Sequence, residues 1–186
     1  MGYSAGTKKN PTYHSLGDHS ETVQIDYDPA RISYEDLLTV FWQSHAPGAP
    51  SPSRQYRPAV FYHNPEQQRL ALESKARVAA KIKGEVFTQI LPATGFYPAE
   101  DYHQKYFLRR ESELFRELSA IYPTTAHLIA STAAARVNGY AAGYGTRQGL
   151  ERELDSLGLS PAGRKRLMAL VPAAGPQPEQ MCPVGR

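Results

Sequence analysis

The chain has 186 residues, 41% of them apolar and 21% charged, which suits one globular domain with a tail and excludes a collagen-like or wholly disordered polymer. The net charge of +3 is scattered except at Arg164, Lys165 and Arg166, so charge alone gives no case for a nucleic-acid partner. The single cysteine, Cys182, excludes an internal disulfide. With no charged-then-apolar leader and no run long enough to span a bilayer, a cytoplasmic protein without a membrane partner is expected.

Residues 1–21, "MGYSAGTKKNPTYHSLGDHSE", read as a turn, because Gly2, Gly6, Asn10 and Pro11 are turn residues and nothing apolar precedes them. "TVQIDYD" at 22–28 alternates Val23, Ile25 and Tyr27 with polar neighbours, the period of a strand. Asp28 and Pro29 end it, Ser33 is placed to cap a helix, and Leu37, Leu38, Phe41 and Trp42 share one face, with Trp42 expected to pack in a core. A Pro/Ser loop at 46–58 leads to a second strand, "AVFYH", at 59–63. Asn64 and Pro65 open a helix whose apolar positions are Leu70, Leu72, Val78, Ala79 and Ile82, and "VFTQILPA" at 86–93 is a third strand. Strands alternating with helices over short connections imply an α/β or α+β layer structure. Residues 96–107 are irregular and tyrosine-rich, and 108–137 read as helix broken at Pro123. "NGYAAGYG" at 138–145 reads as a glycine-rich turn, followed by two short helices joined at Gly158. No internal repeat is evident.

Several stretches stand in one order: "GYSAGTKKNPTY", "DHSE" leading into "VQIDYDP", "ISYEDLLTVFWQSH", "QYR" and "FYPAEDYHQKY". Together they resemble the peptide methionine sulfoxide reductase A family, which is specific for the S epimer of methionine sulfoxide. The resemblance runs over residues 2 to about 107, with a weaker echo at "NGY" 138–140. It implies an α+β fold, a ferredoxin-like α/β sandwich of this family's type, with a C-terminal helical extension. The implied organisation is a catalytic domain over 1–107, a helical extension over 108–170 and a Pro-rich disordered tail over 171–186. The implied activity is that of a peptide-methionine (S)-S-oxide reductase, an oxidoreductase of protein repair under oxidative stress. Its substrate would be oxidised protein or free methionine sulfoxide, and thioredoxin or another thiol its reductant. No bound cofactor, metal or nucleic acid is implied, and the expected state is a monomer.

In that reaction a cysteine thiolate attacks the sulfoxide sulfur and becomes a sulfenic acid, and the departing oxygen must take up protons. A carboxylic acid in an apolar pocket can donate one, and the resemblance gives that role to Glu21 of "DHSE". It gives the sulfoxide oxygen two phenol donors, Tyr13 of "NPTY" and Tyr56 of "QYR", an electrostatic, preorganised contribution. His103 and Tyr106 of "EDYHQKY" match residues that line or brace the substrate pocket, and Tyr140 of "NGY" matches a tyrosine before a resolving cysteine. Taken singly, Glu21 reads as a solvated acid, the tyrosines as half-buried packing residues and His103 as a loop brace. The shared motif order is what favours the chemical reading.

The sequence also departs from the family. Its relatives carry the nucleophile in a "GCFW" stretch at a strand end and helix start, ahead of "VGYAGG", whereas this chain opens at "MGYSAG". The expectation is therefore an N-terminally truncated chain, lacking the first strand and helix, inactive without them and exposing Val23, Ile25 and Phe61. A start assigned at an internal GTG codon would turn "VGY" into "MGY". The acidic "GND" loop is replaced by "GAPSPSR", and the first resolving cysteine by Ala141. Cys182 in "MCPVG" is a candidate recycling thiol or a free thiol on a tail. The alternatives are a non-catalytic pseudoenzyme that binds methionine sulfoxide or a partner, and a regulatory or structural module.

Overall fold

In the first half of the chain, β1 (Gly2–Ser4), β2 (Ser20–Thr22), α1 (Tyr34–Gln43), β3 (Ala59–Tyr62), α2 (Pro65–Ile82), β4 (Gln89–Pro92) and β5 (Phe96–Pro98) follow one another. The computed structural model describes residues 1–82 and 84–172. The chain divides into two units, Met1–Glu100 and Asp101–Arg186.

The first strand corrects the expectation of an opening turn. β1 is the centre of a three-stranded antiparallel sheet ordered β2-β1-β5, with Tyr3 opposite Glu21 on one side and Tyr97 on the other. Gly2 permits this crowding, because a Cβ there would lie 2.5 Å from the Tyr97 carbonyl oxygen. The expected strand at 22–28 is also corrected. The ladder ends where Gly2 meets Thr22, and residues 23–28 pair with nothing regular. Alternation produces a strand only where a neighbour accepts the backbone bonds, so Val23 and Ile25 remain 66% and 57% exposed.

The helices of this unit start where their caps are. Ser33 accepts the Asp36 amide at 3.0 Å while the Asp36 carboxylate accepts the Ser33 amide at 3.0 Å, a reciprocal capping box. Asn64 accepts the Gln67 amide at 2.9 Å, and Pro65 occupies the first position of α2. β3 and β4 are parallel and joined through α2, as parallel strands require a crossover. The buried face of α2 differs from the expected one: Ala71 and Ser74 are inside, whereas Leu72 and Ile82 are 50% and 41% exposed. The cause lies in α1, whose Trp42 Nε1 donates to Ser74 Oγ at 2.9 Å, so small residues face that helix.

The second unit is helical: α3 (Tyr106–Arg110), α4 (Ser112–Ile121), α5 (Thr125–Ala130), α6 (Thr132–Ala141), α7 (Arg147–Glu153) and α8 (Pro161–Leu170). The expected break at Pro123 is present, and two more fall at Glu111 and Ser131. Ser131 adopts extended backbone and accepts the Ala134 amide at 3.0 Å, so it ends one helix and caps the next. Thr124, Thr146 and Ser160 cap α5, α7 and α8 in the same way. The "NGY" segment is helix rather than turn, since α6 runs on to Ala141. Leucines at 108, 114, 118, 128, 150, 157, 159 and 167 close into one apolar core with Val137 and Tyr140. Among the described residues no helix is long and apolar enough to cross a membrane.

Candidate active site

The loop joining β1 to β2 is tied at its base by two side chains of "DHSE". Asp18 accepts the Thr7 amide at 2.7 Å and the Lys8 amide at 3.3 Å, and the Thr7 bond above all holds its carboxyl down at about 2. His19, 1% exposed, accepts the Gly6 amide on Nδ1 and donates from Nε2 to the Lys8 carbonyl at 2.7 Å. Gly6 is required by that contact, because a Cβ would sit 2.5 Å from the imidazole.

Glu21 follows on β2 and is clasped by Gln55. Its amide donates to the Gln55 carbonyl at 3.0 Å, and Gln55 Nε2 donates to its carboxylate at 2.7 Å. The same amide nitrogen lies 3.2 Å from the Tyr56 hydroxyl, so one side chain links acid and phenol. Interaction with the Tyr13 side chain first, then partial desolvation and the Glu21 charge, pushes the Tyr56 phenol above its ordinary value. Tyr13, Glu21 and Tyr56 are thus brought together from positions far apart in sequence. Arg57 braces the floor, donating to Ser20 Oγ at 2.8 Å, Gln89 at 3.2 Å and the Ala5 carbonyl at 3.4 Å.

A cleft of about 390 Å³ has Glu21 and Arg57 in its lining, with apolar walls that include Val23, Leu37, Phe41 and Phe61. The Tyr34 hydroxyl is buried in this region without a hydrogen-bond partner, and burial raises its phenol. The arrangement offers two phenols and a carboxylate to a small polar group, next to an apolar recess.

The remaining candidates belong to the second unit. His103 closes the 3-10 turn Asp101–His103 and lies 4.3 Å from the Tyr102 ring. Tyr106 opens α3, half exposed, with the Arg110 guanidinium 5.6 Å above its ring. Tyr140 is buried in the helical core, where its hydroxyl donates to Glu153, itself paired with Arg136. Cys182 and most of the Pro-rich tail lie outside the described residues. Among the described residues there is no cysteine, and no cluster of His, Cys, Asp or Glu suits a metal.

Gln55, Arg57 and His19 were not assigned roles from the sequence, although they sit inside "QYR" and "DHSE". The available signal was their position beside the assigned residues, and what hid them was that each acts on a residue distant in the chain.

The family model described as peptide methionine sulfoxide reductase matches residues 1–134, and that of the selenoprotein methionine sulfoxide reductase A helical domain matches 126–163. A Drosophila melanogaster protein named peptide methionine sulfoxide reductase is 39% identical over 167 residues, 89% of this chain and 67% of that protein. Peptide methionine sulfoxide reductase A5 of Oryza sativa is 42% identical over 148 residues, 76% of this chain and 58% of its own. The chain thus spans between about half and two thirds of these relatives. The crystal structure of Mxr1 from Saccharomyces cerevisiae in reduced form superposes with a TM-score of 0.54 at 27% identity, covering 60% of this chain and 70% of that one. With the matching family model extending over most of its length, the chain belongs to the peptide methionine sulfoxide reductase family.

Proposed function

We propose that Tyr13, Glu21 and Tyr56 form the sulfoxide-oxygen site of a peptide-methionine (S)-S-oxide reductase. The observation that carries this reading is the Gln55 amide nitrogen that joins the Glu21 carboxylate at 2.7 Å to the Tyr56 hydroxyl at 3.2 Å, with the Tyr13 side chain acting on Tyr56. Packing alone does not call for an acid among phenols at an apolar cleft. The two hydroxyls would donate to the sulfoxide oxygen as negative charge develops on it, and Glu21 would deliver a proton. A cysteine thiolate would attack the sulfur, the S–O bond would break, and the oxygen would pass to the cysteine as a sulfenic acid. The sulfoxide is thereby reduced by two electrons to the thioether and the cysteine oxidised by two. A second thiol would condense with the sulfenic acid, releasing water and leaving a disulfide for thioredoxin or a small thiol to reduce. The nucleophile is assigned to a Gly-Cys-Phe-Trp segment, which these 186 residues do not contain.

The test titrates the chain with N-acetylmethionine S-sulfoxide and its R epimer, followed by tyrosine ring resonances. The S epimer is expected to bind more tightly and to lose affinity in Tyr13→Phe and Glu21→Gln. Equal binding of both epimers by parent and variants would overturn the oxygen site. With dithiothreitol the chain is expected to give no turnover, and turnover abolished by Cys182→Ser would overturn the assignment of the nucleophile.

A further inference from the structure

Tyr13 lies on the long loop between β1 and β2, where the only regular pairing is an isolated bridge between Thr12 and Ser15. Such a loop does not by itself hold a phenol in one place. One oxygen of the Glu100 carboxylate accepts the Tyr13 backbone amide at 3.0 Å, and the other accepts the Tyr3 hydroxyl at 2.6 Å. Tyr3 is fixed: it is 1% exposed, packs with Leu16 and Ala99, and stands opposite Glu21 in the β1–β2 register. We infer that Glu100 is a positioning residue for the oxygen site, fastening the Tyr13 loop to the strand that faces Glu21.

The reason is geometric. A carboxylate accepts several hydrogen bonds in its plane and donates none when ionised, so one side chain can join two donors from separate elements. Here it joins a strand and a loop, and it meets Tyr13 at the backbone amide. The inference rests on the oxygen-site reading for its functional consequence, but the positioning is observable without substrate.

The test compares Glu100→Gln with Glu100→Asp in the full chain. Glutamine keeps an acceptor at the same reach for the Tyr13 amide, whereas aspartate keeps the charge and draws the acceptor back. If position matters, Glu100→Asp shifts the Tyr13 amide and ring resonances, lowers the Tyr56 phenol titration toward its ordinary value and weakens S-sulfoxide binding about tenfold. Glu100→Gln leaves all three near the parent. Unmoved Tyr13 and Tyr56 signals in Glu100→Asp, or a larger change in Glu100→Gln than in Glu100→Asp, would overturn the inference. If the parent binds no sulfoxide, the oxygen-site reading fails while the free-state resonances still decide the role of Glu100.

Discussion

In Asp101–Arg186 the described residues pack one continuous apolar cluster, from Leu108 to Val171, with Ser and Thr caps at the starts of α5, α6, α7 and α8. In Met1–Glu100 the cluster nearest the candidate site is Tyr3, Leu16 and Ala99, and much of the remaining order comes from polar contacts across long sequence distances. Asp18 holds Thr7 and Lys8, Arg57 reaches Ser20, Ala5 and Gln89, and His45 meets Thr88 at 2.9 Å. The difference teaches where each unit is vulnerable. Apolar packing is cumulative and tolerant of solvent conditions, whereas a polar scaffold is directional and loses a buried donor or acceptor whenever one partner goes.

The largest effect is expected where packing is densest. Leu118→Ala, at a fully buried position, should cost about 2–5 kcal/mol in denaturant unfolding followed by helical signal. A loss below about 1 kcal/mol would break the contrast. Arg57→Met removes three hydrogen bonds from the site floor and should cost about 1–3 kcal/mol, with the Tyr56 resonances shifting in the same variant. If those resonances stay in place, the floor does not support the phenols. Acid should next weaken the loop that Asp18 holds. The Asp18 carboxyl is depressed from 3.8 to about 2, so the stability it contributes is present above 3.8 and is lost as pH falls through about 2. The stability difference between the parent and Asp18→Asn should shrink across that window, and a constant difference would sink the claim. Tyr13→Phe removes the leading cause of the raised Tyr56 phenol, so phenolate absorbance should show one tyrosine titrating closer to 10.0. The smallest effect is expected at Ala5, which holds φ at 62° in the same loop. Ala5→Gly should stabilise by up to about 1 kcal/mol, and destabilisation would mean that its methyl group matters more than its backbone strain.

Much of the candidate site was legible from motif order, because "NPTY", "DHSE" and "QYR" each carry one member and the fold brings Tyr13, Glu21 and Tyr56 together. What escaped the sequence is the set of links between them. Gln55 bridges to Glu21 across 34 positions and Glu100 reaches Tyr13 across 87, and no local pattern marks such a pair. The fold was legible where a signal is local and chemical, as at the Ser33 capping box and Pro65. It was misread where a signal depends on a neighbour. Gly2–Ser4 is too short and too glycine-rich to look like a central strand, and 23–28 alternate correctly yet find no ladder.

The sequence by itself therefore determined the starts of α1 and α2, the apolar face of α1 around Leu38 and the leucine-rich character of the second unit, and it named Tyr13, Glu21 and Tyr56 as candidates. These follow from capping chemistry, from side-chain period and from which groups can donate or accept a proton. Only the tertiary structure decided that β1 lies between two strands, that α2 buries Ala71 and Ser74 rather than Leu72 and Ile82, and that Tyr140 spends its hydroxyl on Glu153. Each of those outcomes is set by what stands across from the residue, and a one-dimensional period carries no record of the opposite surface.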